Sequence, residues 1–268
     1  MEFLTLLIKN TKMCGIAGFF NIQHKSIDES NLSKMLRLQE HRGPDSNGVY
    51  YNRHIGMAHN RLSLLDLSSN GNQPFQDDQY ALIYNGELYN FRELKAKLPP
   101  CSYVSSSDTE VLFQALKVWG INETLKQLKG MFAFAWFNKS TNQLVLARDR
   151  IGIKPLFFAL DNQYGYWFAS EVKAILEVIA CTPNPIKILF SGLGVLEKSR
   201  YETAWDNVFH VRPGTYVTIN SSGHQEATYY EITDVVDEKR YLKFETSRFA
   251  DVLAEFEGLF DAAVKRML

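Results

Sequence analysis

Apolar and polar positions follow two different periods along the chain. Short apolar runs at Gly15 to Phe20, Ile55 to His59, Tyr80 to Tyr84, Met131 to Phe137, Gln143 to Ala147 and Tyr166 to Ala169 predict strands. Several are apolar on both alternate positions, the pattern of a strand covered on two faces. Between them the spacing lengthens. Leu32, Met35 and Leu36 follow i, i+3, i+4, and Phe91, Leu94 and Leu98 follow i, i+3, i+7, which predicts helices. A further helix is expected from Asp108 to Trp119, capped by Ser107 or Asp108 and stopped at Gly120, and another after Ser170. Two packed sheets with helices outside would bury all these surfaces, so the expected fold is an α+β layered sandwich. Periodicity does not set its strand order.

Beyond about Pro183 the pattern changes. Arg212-Pro213-Gly214-Thr215-Tyr216-Val217 reads as a turn leading into a strand, and Ser221-Ser222-Gly223 as a hairpin loop. Asp234 to Lys243 reads as a charged linker. An amphipathic helix follows, bearing Phe249, Val252, Leu253, Phe256, Phe260, Ala263, Val264 and Met267, and its stripe calls for a partner surface. The expected division is 1–12 as an extension or misassigned start, 13–232 as the main domain, and 233–268 as a linker plus the first helix of a truncated second domain.

With 268 residues, 46% of them hydrophobic, the chain can bury a substantial core, and 22% charged residues argue against disorder. Its 29 basic and 30 acidic residues leave a net charge of -1, which gives no footprint for nucleic acid or an anionic membrane. Cys14, Cys101 and Cys181 are too few and too scattered for a disulfide framework or a zinc site. The expected compartment is the reducing cytoplasm, and no metal is expected. No apolar run approaches the ~20 residues that span a bilayer.

Candidate chemistry centres on Met13-Cys14-Gly15-Ile16. Taken alone, Cys14 reads most simply as a small core residue. If Met13 were removed, Cys14 would carry a free α-amine titrating at about 7.7–8.0, next to a thiol at about 8.5, and the amine would be a base for its own sulfur. His41-Arg42-Gly43-Pro44-Asp45, Ala58-His59-Asn60-Arg61-Leu62-Ser63, Tyr84-Asn85-Gly86-Glu87 and Ser107-Asp108-Thr109-Glu110 each allow a bland reading: Asn85-Gly86 as a hairpin turn, Asp108 as a helix cap, Arg61 as a surface arginine.

In this order and spacing behind Met13-Cys14, these segments resemble the class II glutamine amidotransferases, whose fold is the N-terminal-nucleophile hydrolase αββα four-layer sandwich. Ala147 to Leu156, Phe168-Ala169-Ser170-Glu171 and Pro213-Gly214 resemble the glutamine-hydrolysing asparagine synthetase branch. The likeness runs from Met13 to about Tyr230. It implies that Cys14 attacks the glutamine carboxamide, with the Asn85 side chain and the Gly86 N–H holding the oxyanion. It also implies that Arg61 grips the α-carboxylate, that Asp108 meets the α-ammonium, and that Glu87 and the backbone of Leu62, Ser63, Leu64 and Leu65 form the pocket walls. His41 and His59 are expected to be hydrogen-bonded structural residues. Arg148, Asp149, Arg150 and Lys154 are expected to form a charged network near a second domain. The partners implied are glutamine and a synthetase domain or subunit that receives ammonia, with a homodimer open. The glutaminase step needs no cofactor, whereas ATP and Mg²⁺ are implied for the synthetase.

The sequence departs from that family in three places. Residues 1–12 precede Met13. Nothing matches a phosphate-cradling Ser-Gly-Gly-x-Asp-Ser loop, since Ser191-Gly192-Leu193-Gly194 lacks the pattern. The stretch between Pro185 and Trp205 is shorter than usual. Two alternatives stay open: a glutaminase feeding a sugar or phosphoribosyl acceptor, and a non-catalytic glutamine-binding or docking module.

Overall fold

The computed structural model describes residues 13–23, 25, 28–192 and 202–267. The expectations for residues 1–12 and for Leu193-Gly194 lie outside the described residues. In chain order the elements are β1 (Gly15–Asn21), α1 (Ser30–Leu38), β2 (Ser46–Tyr51), β3 (Ile55–Arg61), β4 (Phe75–Gln76), β5 (Tyr80–Leu88), α2 (Phe91–Lys97) and α3 (Asp108–Gln127). There follow β6 (Gly130–Asn138), β7 (Gln143–Arg148), β8 (Phe157–Asp161), β9 (Gly165–Ala169), α4 (Val172–Leu176) and α5 (Pro185–Gly192). The chain continues through β10 (Val208–His210), β11 (Thr215–Asn220), β12 (Gly223–Thr228), α6 (Glu238–Thr246) and α7 (Phe249–Met267).

The strands form two six-stranded sheets, ordered β10-β8-β9-β1-β3-β2 and β12-β11-β7-β6-β5-β4. Every strand pairing is antiparallel. The buried side chains sort into three clusters that define the layers. Ile16, Phe20, Met57, Ile83, Phe137 and Phe168 belong to the apolar filling between the sheets. Leu82, Tyr84, Phe132 and Phe134 point the other way, against Leu94 of α2 and Val111, Leu112 and Phe113 of α3. Ala17, Phe19, Ala58 and Trp167 pack on Leu32 and Met35 of α1 and Ala174 and Ile175 of α4. The order helix, sheet, sheet, helix is the expected four-layer sandwich. It explains why β1 and β3 are buried along their whole length: each lies between a sheet and a helix layer.

Close approach of β1 and β3 requires a glycine at position 18. A Cβ there would stand 2.2 Å from the Gly56 carbonyl oxygen and 2.4 Å from the Phe168 ring, so β1 and β3 meet through their backbones.

The structure alters several expectations. Ser107 is the N-cap of α3 and Asp108 its first helical residue. Gly120 does break the helix, at φ 72 and ψ 178, but a second leg resumes at once and continues to Gln127. Asn85-Gly86 makes no hairpin, because both residues sit inside β5, paired with Ala133 and Phe132. The charged segment expected to be a linker carries a 3₁₀ turn at Ile232–Val235 and then α6, whose N-terminus is capped by the Asp237 side chain. Strand β2 escaped the sequence reading because its polar, half-exposed sequence SNGVYY carries no apolar run. Along α7, Phe249, Leu253, Phe256, Phe260, Val264 and Met267 are exposed.

Candidate active site

Cys14 immediately precedes β1, and its main chain is fastened on both sides of the residue. Met13 donates its N–H to Arg42 O at 2.9 Å, and Arg42 Nε donates to Cys14 O at 3.0 Å. Arg42 is itself held by Glu171, at 3.0 Å from Nη1. The same carboxylate takes His41 Nε2 at 3.0 Å and Lys173 at 2.8 Å. His41 therefore serves a surface ion cluster that orients Arg42, the structural role expected of it.

The Cys14 sulfur receives the Leu62 N–H at 3.4 Å, and its thiol reaches Leu62 O at 3.7 Å. β1 and β3 are neighbours in register Gly15↔Asn60, which brings the residues just past Arg61 against the sulfur. Burial raises the thiol's pKa, opposed by the Leu62 hydrogen bond and the Lys154 charge.

An open pocket of about 410 Å³ is lined by Cys14, Arg61, Leu62, Leu64, Leu65, Gly86, Glu87 and Asp108. Gly71, Gln73, Tyr84, Ser107 and Thr109 complete the lining. Of the residues expected at the site, Ser63 and Asn85 are not on its wall. The Ser63 N–H is engaged by Asp45 Oδ2 at 2.7 Å. Asn85 is 1% exposed, and its Nδ2 is buried without a hydrogen-bond partner among the described residues. Strand alternation puts Asn85 on the same face of β5 as Ala81 and Ile83, toward the sheet that carries Cys14. A buried amide donor left unmatched costs on the order of 1–3 kcal/mol, so it marks a place where a ligand acceptor would be welcome.

The Gly86 glycine is demanded by the protein itself. A Cβ there would lie 2.4 Å from Met131 O and 2.8 Å from the Tyr84 ring. That ring matters because Tyr84 Oη donates to Asp108 Oδ2 at 2.8 Å, alongside the Leu88 N–H at 2.9 Å. Burial nevertheless dominates and lifts the Asp108 pKa to about 6. Gln73 completes this wall: its Nε2 donates to Tyr84 O at 3.1 Å and to Thr109 Oγ1 at 3.3 Å, and its Oε1 accepts the Tyr84 N–H at 2.6 Å. Gln73 lies in a loop with no periodic signal, so the sequence reading passes it over, and Tyr84 enters that reading only as a strand end and as the neighbour of Asn85.

Arg61 is buried at the end of β3, and its two Nη atoms are engaged by the following loop. Nη1 donates to Ser68 O and Asn72 Oδ1, both at 2.8 Å, and Nη2 to Leu65 O at 3.4 Å and to Asp66 O. The guanidinium thus builds the loop that carries Leu64 and Leu65, and it also lines the pocket. His59 is fully buried, donates from Nε2 to Tyr84 O at 3.2 Å, and is held neutral by burial, its pKa pulled down to about 3. It too is structural.

The Arg148–Lys154 segment divides. Asp149 is buried and accepts four backbone N–H groups: Ile151 and Ile153 on Oδ1, Phe132 and Lys154 on Oδ2. Arg148 donates to three carbonyls, of Lys154, Val211 and Gly152. Arg150 lies over the Tyr230 ring, 5.0 Å from its centroid. These residues staple a loop. Lys154 differs: its Nζ reaches Met13 Sδ at 3.3 Å, which places it beside Cys14 and not in a remote network.

Among the described residues, no group of three His, Cys, Asp or Glu side chains is placed to hold a metal ion, and no helix is long and apolar enough to cross a membrane.

Two longer proteins and one solved structure are similar to this chain. Glutamine-hydrolysing asparagine synthetase 1 of Bacillus subtilis (strain 168) is 36% identical over 221 residues, which are 79% of this chain and 34% of that protein. Glutamine-hydrolysing asparagine synthetase 3 of the same organism is 32% identical over 267 residues, 96% of this chain and 41% of its own length. The chain therefore spans well under half the length of these relatives. Among solved structures, the glutamine phosphoribosylpyrophosphate amidotransferase of B. subtilis, complexed with ADP and GMP, superposes with a TM-score of 0.59 at 22% identity. The superposition covers 81% of this chain and 49% of that one, and it speaks for the fold. The profile of the glutamine amidotransferase domain matches residues 13–230, and the chain belongs to that family.

Proposed function

We propose that residues 13–232 hydrolyse glutamine to glutamate and ammonia, with Cys14 as nucleophile once it is the first residue of the chain. One observation carries the reading: a half-buried thiol opens onto a pocket whose charged walls, Arg61, Asp108 and Glu87, include a cation and a carboxylate to match the two ends of an α-amino acid. Asp108 meets the α-ammonium, and Arg61 supplies the positive charge for the α-carboxylate. The unmatched Asn85 amide, with the Gly86 N–H, supplies the donors for the carboxamide oxygen as it becomes an oxyanion.

The proton needs a base. His59 is committed to Tyr84 and poorly basic, and His41 is tied to Glu171, so neither serves the sulfur. The Cys14 nitrogen is a peptide nitrogen while Met13 is attached. After removal of Met13 it becomes an amine titrating at about 7.7–8.0, matched to the thiol near neutral pH. The amine takes the thiol proton as sulfur bonds to the amide carbon. The carbon–nitrogen bond then breaks, the ammonium returns its proton to the leaving nitrogen, and ammonia departs. Water, giving a proton back to the amine, adds to the γ-glutamyl thioester; glutamate leaves and the thiol is restored.

For the whole protein we read the ammonia as delivered to a synthetase region or subunit that amidates aspartate using ATP and Mg²⁺. The asparagine synthetase names of the longer relatives support that acceptor. The residues present do not fit ATP: no Ser-Gly-Gly-x-Asp-Ser loop occurs, and Ser191 and Gly192 merely close α5. The free thiols of Cys14, Cys101 and Cys181 suit a reducing cytoplasm.

A chain beginning at Cys14 should release ammonia from glutamine without ATP. Its Cys14→Ala variant should bind glutamine in calorimetry and release none. If both bind glutamine and neither hydrolyses it, the domain is a binding module. Retention of Met13 in active native protein, read by mass spectrometry of the N-terminus, would refute the amine as base.

A further inference from the structure

Lys154 is unusual among the cations of this protein. Its backbone is clamped at both ends, the N–H by Asp149 Oδ2 at 2.9 Å and the carbonyl by Arg148 Nε at 2.8 Å. From that fixed base the side chain runs inward, and the residue is only 6% exposed. Its ammonium ends on the Met13 thioether, a weak acceptor for a group with three protons to donate. A buried ammonium with so weak an acceptor is unfavourable unless its charge serves another group. Of the charged groups acting on the Cys14 thiol, Lys154 acts most strongly, ahead of Asp108 and Arg61.

The charges around it are few. Glu87 faces it from β5 and Cys14 from the chain before β1, Arg42 from the turn after α1, and Asp149 from its own loop. Arg42 is already neutralised by Glu171, and Asp149 is saturated by four N–H donors. Among the described residues, Glu87 and Cys14 are left as the groups with which the Lys154 charge interacts. Removal of Met13 would take away the thioether and leave the ammonium facing the new α-amine.

We infer that Lys154 is a positioning residue for the amidotransferase reaction, its fixed positive charge holding the Cys14 sulfur and α-nitrogen in their reactive forms. This rests on Cys14 being the nucleophile. A neighbouring cation favours thiolate over thiol and free amine over ammonium, so both groups of Cys14 shift toward the states that attack and that accept the proton. Burial pulls the Lys154 pKa down from the ordinary lysine value, and Glu87 and Asp149 oppose that by favouring the charged form.

The test follows the Cys14 thiol directly, in the full chain, by iodoacetamide alkylation across pH with peptide mass spectrometry to separate Cys14 from Cys101 and Cys181. Lys154→Met and Lys154→Gln are both made, so that a folding failure in one leaves the other. In either folded neutral variant the Cys14 alkylation midpoint should rise by about one pH unit, a roughly tenfold slower reaction at pH 7. Lys154→Arg should keep the wild-type midpoint. In chains beginning at Cys14, the acid limb of glutamine hydrolysis should move upward in the neutral variants and stay in place with arginine. An unmoved midpoint in a folded neutral variant overturns the inference, as does an arginine variant that shifts like the neutral ones. If alkylation shifts as expected while the wild-type chain beginning at Cys14 hydrolyses no glutamine, the proposed function fails and the electrostatic role of Lys154 stands.

Discussion

Replacing Asp108 with asparagine should make the unliganded protein more stable while removing its grip on glutamine. Asparagine keeps an oxygen able to accept from Tyr84 Oη and the Leu88 N–H, so the local hydrogen bonds survive. What disappears is a charge held at 5% exposure, whose pKa stands at about 6 against an ordinary 3.8. At about 1.4 kcal/mol per tenfold, that difference makes the ionised carboxylate unfavourable in the fold by about 3 kcal/mol. The sign follows from proton uptake. Between 3.8 and about 6 the folded protein holds a proton that the unfolded chain has released, so wild-type stability falls as pH rises through that window. The gain from Asp108→Asn should therefore be full above pH 6 and vanish below about 4. At pH 7.5 it corresponds to a midpoint rise of about 6–12 °C for a domain of this size. Thermal unfolding of both proteins at pH 7.5 and pH 4 measures it, with glutamine calorimetry in parallel. Equal stability at pH 7.5, or a difference that does not change with pH, would refute the account of Asp108. Unaltered glutamine affinity would remove it from ammonium recognition.

Asn85→Ala, in a chain beginning at Cys14, should lower kcat for glutamine hydrolysis by about 10²–10³ with little change in KM, because the donor is needed only once the oxyanion forms; an unchanged kcat in steady-state assays would exclude it. Gly86→Ala must displace Met131 O or the Tyr84 ring, so it should cost about 1–3 kcal/mol in denaturant unfolding and weaken glutamine binding through Asp108. Wild-type stability with full binding would show that β5 has room the geometry denies.

The layered fold was largely legible in the sequence, and the reason is the width of its signals. Runs such as Met131 to Phe137 are apolar on both faces because each strand lies between another sheet and a helix layer. That arrangement leaves few alternatives. Strand β2 was silent because an edge strand with one solvated face needs no such run. The second leg of α3 was missed because Gly120 ends a helix by its own backbone, while only packing of Ile121 and Leu125 restarts one.

The residues proposed to carry chemistry were readable for a different reason: Cys14, Arg61, Glu87 and Asp108 each sit in a short motif whose local form is set by neighbours in sequence. Their meeting in one pocket was not local information. It depends on β1 pairing with β3, on β5 approaching from the second sheet, and on the first turn of α3 reaching over β5 to Tyr84. The sequence alone established residue types, strand and helix periods, and the Met13-Cys14 junction. Tertiary structure alone decided that Arg61 braces its own loop while lining the pocket, that Gln73 and Tyr84 brace Asp108, and that Lys154 lies beside the sulfur. The physical reason is common to all of these. Burial and charge act through distance in space, and residues 14 and 154 become neighbours only when the loop stapled by Asp149 folds against the start of β1.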